Sequence, residues 1–209
     1  MTLRKKFGIA VFSIVPFLSG CWAFQPQAVL LKPDVNVQSG DIGSDKSIML
    51  NVIDERTETT LGFRLPGRKS GFLRKGSPIG ALLTIEGDIV EIVSDSLSKG
   101  LLAQGFQITR SPDEGTAKLK ELRVELRSLE YRLLTGGIPY YAKTISKMKG
   151  ICIVDSLYPY EKLYRGTHEE SHYNFTPTDA QINKYVNIAL SHAINNLLSD
   201  SRLLKCLAN

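Results

Sequence analysis

One stretch in the second half of the chain, YYAKTISKMKGICIV at residues 140–154, alternates between two kinds of side chain. One set of positions holds small or apolar residues: Ala142, Thr144, Ser146, Met148, Gly150, Cys152 and Val154. Lysines occupy positions 143, 147 and 149 in the other set. Because successive side chains of an extended strand point to opposite faces, the stretch predicts a long strand with one buried and one solvated face. A fold for this chain must therefore cover one side of that strand.

Two segments have the apolar spacing of amphipathic helices, each with one stripe of side chains to bury. The first is predicted over residues 88–104, and its start has Asp88 and Glu91 at the spacing of a capping box. The second begins at about Pro177, and its apolar stripe runs to Leu197. These helices are the elements able to cover an apolar strand face.

The remaining elements are strands and turns. Residues 47–53 and 106–109 predict short strands, and residues 162–173 predict a return strand after a turn at 157–162. Residues 117–134 are ambiguous, because their leucines fit both a helical heptad and two alternating strand segments with a bulge between them. Periodicity alone does not choose between the two.

The N-terminus has the features of a secretory signal peptide over residues 1–20. Cations at positions 4–6 precede an apolar run over residues 7–18, which is too short for a bilayer-spanning helix of about 20 residues. The run ends in LSGC, which is similar to the bacterial lipobox, so cleavage after Gly20 leaves Cys21 as a lipidated first residue. The alternative is an ordinary cleavage site followed by an unmodified cysteine.

Lipidation of Cys21 predicts a permanent membrane anchor, because two or three acyl chains bury many CH₂ groups at roughly 0.8 kcal/mol each. Trp22 follows the cysteine, and the absence of Asp there resembles Gram-negative lipoproteins of the inner leaflet of the outer membrane. Residues 21–46 mix Pro, Gly, Ser and Asp with one apolar patch and predict a lipidated tether. Residues 47–209 are then expected to form a single domain.

The charge of the mature chain argues against nucleic acid as a partner. The formal charge of +5 includes three signal-peptide cations, so cleavage leaves about +2. No P-loop spacing is present, and we expect no cofactor.

A Gly-rich loop is predicted at about residues 61–80, and we call it the basic loop. It holds five cations: Arg64, Arg68, Lys69, Arg74 and Lys75. Exposed backbone N–H groups and guanidinium groups both favour anions, so the loop is a candidate contact for anionic lipid, cell-wall glycan or an acidic protein partner. The alternative is a solvated loop without a ligand.

The sequence THEESHYNF contains an HExxH match in His168, Glu169 and His172. On a helix, side chains four positions apart lie roughly 5 to 6 Å from each other and can share a zinc ion. On a strand, the same positions are separated by roughly 13 Å, which excludes a common ion. Because the segment predicts a strand, we expect no metal site here; the alternative is a zinc peptidase with a helical HExxH segment.

Two cysteines remain besides the predicted anchor. An oxidising periplasm would allow Cys152 and Cys206 to pair, which would fasten the C-terminal tail to the sheet. The alternative is two buried apolar side chains that lie far apart.

The order of these elements resembles the YajG family of bacterial lipoproteins. The resemblance is carried by NVIDERTETTLG from residue 51, LLAQGFQIT from residue 101, LRVELRSLEYRL from residue 122 and QINKYVNIALSHAINNLLSD from residue 181. It implies an α+β two-layer sandwich, with a largely antiparallel sheet of four to five strands and two helices on one face, and it favours a strand over residues 117–134. It carries over no catalytic residues. We therefore expect a non-enzymatic, lipid-anchored component of an envelope assembly, such as a secretion or transport machine, on the periplasmic side of the outer membrane.

Overall fold

The computed structural model describes residues 26–63, 82–109, 120–135, 140–155, 157–173 and 177–209. Its strands are β1 (Gln27–Leu30), β2 (Ser47–Asp54), β3 (Gly62–Phe63), β4 (Leu82–Glu86), β5 (Gln107–Thr109), β6 (Lys120–Thr135), β7 (Tyr140–Val154) and β8 (Leu157–His172). Its helices are α1 (Ile89–Ala103), α2 (Asp179–Leu198) and α3 (Ser201–Ala208).

Five strands form the main sheet in the order β5-β2-β6-β7-β8. Strand β2 is parallel to β5 and β6, whereas β6, β7 and β8 are antiparallel neighbours. The ambiguous leucine-rich stretch is a strand, as the family resemblance favoured, and its register shifts between Leu126 and Ser128 where a bulge was predicted. The bulge adds one residue to the strand and so shifts the side-chain alternation by one position. Leu129 after the bulge is therefore buried on the same face as Leu122 and Leu126 before it.

A smaller sheet, β1-β4-β3, joins the main sheet where Gly62 pairs with Tyr131 of β6. Gly62 has a φ of 124°, and a Cβ atom there would lie 2.4 Å from the carbonyl oxygen of Tyr131. Only glycine fits this close contact between the two sheets.

The helices pack on one face of the sheet, with α1 on β2 and β5 and with α2 and α3 on β7 and β8. Helix α1 begins as predicted, because the Asp88 side chain accepts a hydrogen bond from the Val90 N–H at 2.8 Å. Helix α2 begins with a capping box between Thr178 and Gln181. The predicted α+β class, with helices on one face of a sheet, is confirmed.

Two sequence-based predictions require correction. Residues 27–46 of the predicted tether belong to the fold, since β1 pairs with β4 and the residues after it lie against α2. Further along, the N–H groups of Gly40, Gly43 and Asp45 donate to the carbonyl oxygens of residues 103–105. Residues 157–162 form the start of β8 instead of a turn, and the chain reverses near Asp155, which has a φ of 51°. Pro159 is tolerated there because β8 is an edge strand, whose outward N–H positions need no partner strand.

The chain ends in a short helix, α3, that sequence analysis did not predict. Asp200 caps it, and Leu203, Leu204 and Leu207 are buried against the sheet. In the described part of the chain, no helix combines the length and apolarity needed to cross a membrane.

Candidate functional site

An extended segment, residues 30–36, lies along α2 and is held by four polar side chains of that helix, which we call the amide ladder. Its members are Asn183, Asn187, Ser191 and Asn195. They accept hydrogen bonds, in that order, from the backbone N–H groups of Leu30, Lys32, Asp34 and Asn36. The N···O distances are 3.1 Å at Leu30, 2.8 Å at Asp34 and 3.0 Å at Asn36.

Two members of the ladder also donate to the segment. Asn187 Nδ2 donates to the carbonyl oxygen of Leu30 at 2.9 Å, and Asn195 Nδ2 donates to that of Asp34 at 3.1 Å. Each of these amides therefore satisfies a donor and an acceptor of the backbone, as a neighbouring strand would.

The side chains of α2 can match the N–H groups of the segment because the helix and the strand repeat over similar lengths. Four residues of an α-helix rise about 6.0 Å, and two residues of a strand span about 6.6 Å. Polar residues every fourth position on α2 can therefore meet every second N–H of the segment. Pro33 falls at an intervening position, where no N–H is required.

Sequence analysis missed this contact, although two signals were present. Val29, Leu31, Val35 and Val37 alternate with exposed residues, and they are buried in the core or packed against it. The four ladder residues repeat at intervals of four along one side of the closing helix. Either signal alone is weak, because polar side chains on a helix are usually solvated and the apolar alternation is interrupted here by Pro33.

The HExxH residues lie on β8, so the predicted strand is confirmed and the zinc arrangement is not assembled. His168 pairs with Thr144 of β7, and His172 lies four positions further along the same strand. His192 is on α2, where its Nδ1 lies 3.2 Å from the carbonyl oxygen of Thr167. No cluster of three metal-ligating side chains occurs among the residues that the structure describes.

His168 has a packing role between β8 and α2. Its ring stacks on Tyr185 with the centroids 4.7 Å apart, and its Nε2 lies 3.2 Å from Glu170 Oε2. Burial and, second, the charge of Glu170 raise the pKa of Tyr185 to about 12, so the phenol stays protonated at neutral pH. The stacked pair of His168 and Tyr185 therefore links β8 to α2.

The structure joins Cys152 of β7 to Cys206 of α3 in a disulfide, with the Cα atoms 6.4 Å apart. A second contact between the end of α2 and β8 is made by Asp200. Its Oδ2 accepts hydrogen bonds from Tyr160 at 2.9 Å, Lys162 at 2.7 Å and Tyr164 at 3.1 Å. Burial alone would raise the pKa of the Asp200 carboxyl, but the hydrogen bonds from Lys162 and Tyr160 outweigh it and hold that pKa well below its usual range. Both contacts fasten the C-terminal helix to the sheet.

The face of the main sheet opposite the helices, which we call the outer face, carries charged side chains in pairs. Lys149 Nζ lies 2.6 Å from Glu161, and Lys143 pairs with Glu169 across the same two strands. The hydrogen bond from Lys143 lowers the pKa of the Glu169 carboxyl. Such exposed pairs contribute little to stability, but they define a polar surface.

Two cations interrupt this pattern of pairs. Lys147 of β7 lies directly opposite Arg165 of β8, between the two ion pairs. Within the described ranges, neither side chain forms a close ion pair, although Arg165, after Lys143, also contributes to lowering the pKa of the Glu169 carboxyl. Like charges opposite each other on neighbouring strands are unfavourable, so this basic centre would gain from an acidic group of another molecule.

The clefts among the described residues include two that carry charged side chains. One, of about 280 Å³, lies between β2 and α1 and is lined by Glu91, Asp95, Ser94 and Ser98 with parts of β2. The other, of about 130 Å³, is lined by Arg56, Arg127, Arg132 and their neighbours. Neither lining includes a histidine or a cysteine, so neither cleft pairs a nucleophile with an imidazole base.

Two predicted sites lie outside the described residues. These are the lipid attachment site Cys21, with Gly20 before it, and the five cations of the basic loop. The first residues assigned to the basic loop are not loop in the structure, because Leu61 is buried in the core and Gly62 and Phe63 form β3, which pairs with Leu83 and Leu82.

A family model described as an uncharacterized lipoprotein matches residues 33–208. No curated protein matches the chain.

Several solved structures are similar in backbone. A Xanthomonas campestris protein is 13% identical, with 84% of this chain and 95% of that chain covered and a TM-score of 0.49. A minor lipoprotein from Acinetobacter baumannii is 15% identical, with 74% and 91% covered and a TM-score of 0.43. A Helicobacter pylori homologue of a neuraminyllactose-binding hemagglutinin is 9% identical, with 84% and 92% covered and a TM-score of 0.44. Likeness at this level carries no argument about function.

Proposed function

The chain belongs to this family of uncharacterized lipoproteins, and from that membership we propose that it is a lipid-anchored, non-enzymatic component of an outer-membrane assembly. Cys21 carries the acyl chains, and the domain faces the periplasm. The domain contributes a surface for a protein partner instead of a reaction centre.

The observation that carries this proposal is the basic centre of the outer face. All three helices pack on the other face, and the charged side chains of β7 and β8 on the outer face are exposed or half-buried, whereas Ile151 and Ile153 at one end of β7 are buried. Lys147 and Arg165 lie opposite each other in the middle of that face, and neither forms a close ion pair among the described residues, although the charge of Arg165 acts on Glu169 at longer range. An acidic patch on a partner would pair with both cations and would extend the cross-strand pattern of charges.

The anchor is tested by changing Cys21 to Ala. The variant should move from the membrane fraction to the soluble periplasmic fraction. Membrane association that survives this change, or a mass spectrum of the mature protein without acyl chains, would contradict the anchor.

The partner surface is tested by crosslinking in intact envelopes, followed by identification of the crosslinked proteins. The double variant Lys147→Gln/Arg165→Gln should lose a specific crosslinked product. The matched control, Lys184→Gln/Lys205→Gln, removes two exposed cations from the helix layer and should keep it. Loss of the product in both variants, or in neither, would argue against the outer face as the contact.

A second candidate function is binding of anionic lipid headgroups by the basic loop. The pairing of Gln27 with Leu83 supports it. Leu83 lies close to the C-terminal end of the basic loop, and Gln27 begins the strand that follows the proposed anchor, so the loop ends near the anchored part of the chain. Neutralising all five cations should abolish salt-dependent binding of the Cys21→Ala protein to vesicles that contain phosphatidylglycerol. Binding to isolated sacculi that disappears in the same variant would indicate cell-wall glycan instead.

A further inference from the structure

We propose that the anchored domain stands upright, with one end of its sheet against the lipid headgroups of the bilayer. This end, which we call the proximal end, comprises the start of β1, the end of β6, the start of β7 and the end of β8. The inference rests on the proposed lipidation of Cys21 and adds which surface of the domain meets the membrane.

The strand directions place these four termini together. Strand β1 is parallel to β4, β4 is antiparallel to β3, and β3 is parallel to β6. Through Leu83 and Gly62, Gln27 therefore lies level with Tyr131, in the part of the sheet toward which β6 runs to its end at Thr135. Because β7 is antiparallel to β6 and β8 to β7, β7 begins and β8 finishes at that same end.

The chain between the anchor and the domain is short. Gln27 is six residues after Cys21, and six fully extended residues span at most roughly 20 Å. The pairing of β1 with β4 and the amide ladder fix the chain from Gln27 onward, so no further residues are available to lengthen the link.

The proximal end presents side chains that suit the boundary between water and lipid. Leu134 and its cross-strand neighbour Tyr141 are each 49% exposed, and Tyr173 is 73% exposed. Tyrosine combines an apolar ring with a polar hydroxyl group and is enriched at membrane interfaces. These three side chains would be partly removed from water if the proximal end touched the headgroups.

Exposure alone does not select this end, because the opposite end also has exposed apolar residues. Leu157 is 69% exposed and Tyr158 is 58% exposed. The fifteen residues of chain from Tyr158 to Tyr173 span about 50 Å in a strand. A link of at most about 20 Å attached to the proximal end leaves the Tyr158 end far from the bilayer in an upright domain.

The test uses the full lipidated protein, purified from envelopes and reconstituted in vesicles of phosphatidylethanolamine and phosphatidylglycerol with brominated acyl chains. Trp22 is the single tryptophan of the chain and is replaced by Phe. In that background, Tyr141→Trp and Tyr173→Trp report on the proximal end, and Tyr158→Trp reports on the opposite end. All three tyrosines are more than 45% exposed, so a larger ring fits without repacking the core.

We expect brominated lipid to lower the fluorescence of Tyr141→Trp and Tyr173→Trp by roughly two-fold, because interfacial side chains lie within about 5–10 Å of the acyl boundary. Tyr158→Trp should be unaffected. A flexible Gly-Ser linker of about 20 residues, inserted between residues 24 and 25, should weaken the quenching of Tyr141→Trp. Equal quenching at both ends would show a domain lying on its side, and quenching only at Tyr158 would show the reverse orientation; either result overturns the proposal.

The parent protein with Trp22 separates this inference from the proposed function. If Trp22 is quenched and the protein floats with the vesicles, the anchor is present, and the single-Trp results decide the orientation alone. If Trp22 is not quenched and the protein does not float, the lipid anchor is refuted together with the orientation that depends on it.

Discussion

Replacement of Asn187 by Ala should loosen residues 30–36 from α2 without unfolding the domain. The side chain accepts a hydrogen bond from the Lys32 N–H and donates one to the carbonyl oxygen of Leu30. The freed backbone groups are exposed and can bond to water, so each bond contributes toward the lower end of about 0.5–1.5 kcal/mol. Loss of both should weaken attachment of the segment by about 1.5 kcal/mol.

The global free energy of unfolding is a poor measure of this change, because Ala favours a helix more than Asn by several tenths of a kcal/mol. Native-state hydrogen exchange of the segment is the suitable assay. A loss of about 1.4 kcal/mol corresponds to roughly tenfold faster exchange of the Lys32 and Asp34 amides. These measurements use the mature chain with Cys21→Ser, so that lipid does not interfere.

Asn196→Ala is the matched control, since it makes the same substitution on the same helix. Its side chain donates to the carbonyl oxygen of Arg165 at 3.0 Å and does not contact the segment. The control should leave exchange at Lys32 and Asp34 unchanged. Equal acceleration in the two variants, or none in Asn187→Ala, would refute the ladder as the attachment.

Three further predictions concern the contacts that hold the helices against the sheet. The disulfide between Cys152 and Cys206 spans 54 residues, and its removal by Cys152→Ala/Cys206→Ala should cost about 2–4 kcal/mol in denaturant unfolding, with no further loss on adding reductant. Asp200→Asn should destabilise the domain at neutral pH by about 2 kcal/mol, because its side chain is 7% exposed and its charge-assisted hydrogen bonds are lost. The pKa of the Asp200 carboxyl is lower in the folded state than in the unfolded state, so this stabilisation is complete above about pH 4 and is lost at more acidic pH, where the two proteins should converge in acid titrations. Gly166→Ala would put a Cβ atom 1.8 Å from the carbonyl oxygen of Ala189 on α2. Thermal unfolding should therefore show that the free energy of unfolding falls by about 3 kcal/mol, or that the chain does not fold. The control Gly40→Ala, whose Cβ meets no atom within 4 Å, should be nearly neutral.

Much of the main sheet was predictable because its signals are local. The alternation over residues 140–154 identifies β7, and capping residues locate the start of α1. The leucine-rich stretch was settled as a strand only through the family resemblance, because its leucines satisfy helical and strand periods equally well. In the structure, the bulge between Leu126 and Ser128 lets the leucines of both halves of the strand face the core, although their alternation is offset by one residue.

The contacts that sequence analysis missed depend on two distant segments. The amide ladder joins residues that are more than 150 positions apart, so neither partner identifies the other locally. The stretch around Pro159 was predicted to be a turn. In the structure it is a strand, and proline is tolerated because β8 pairs, among the described strands, with β7 alone and its other edge needs no N–H donors. The negative prediction at His168 followed from a purely local distance argument, and the strand that it required is present.

The amide ladder also bears on the solubility of a protein that is crowded on a surface. An extended chain with free N–H groups is a template on which another molecule can add a strand, and copies held in one leaflet meet far more often than copies in solution. Between residues 30 and 36 the side chains of α2 already occupy those outward N–H groups. The helix thus closes this border of the molecule to strand addition by a neighbouring copy, a protection that matters most if the proposed anchor holds many copies in one leaflet.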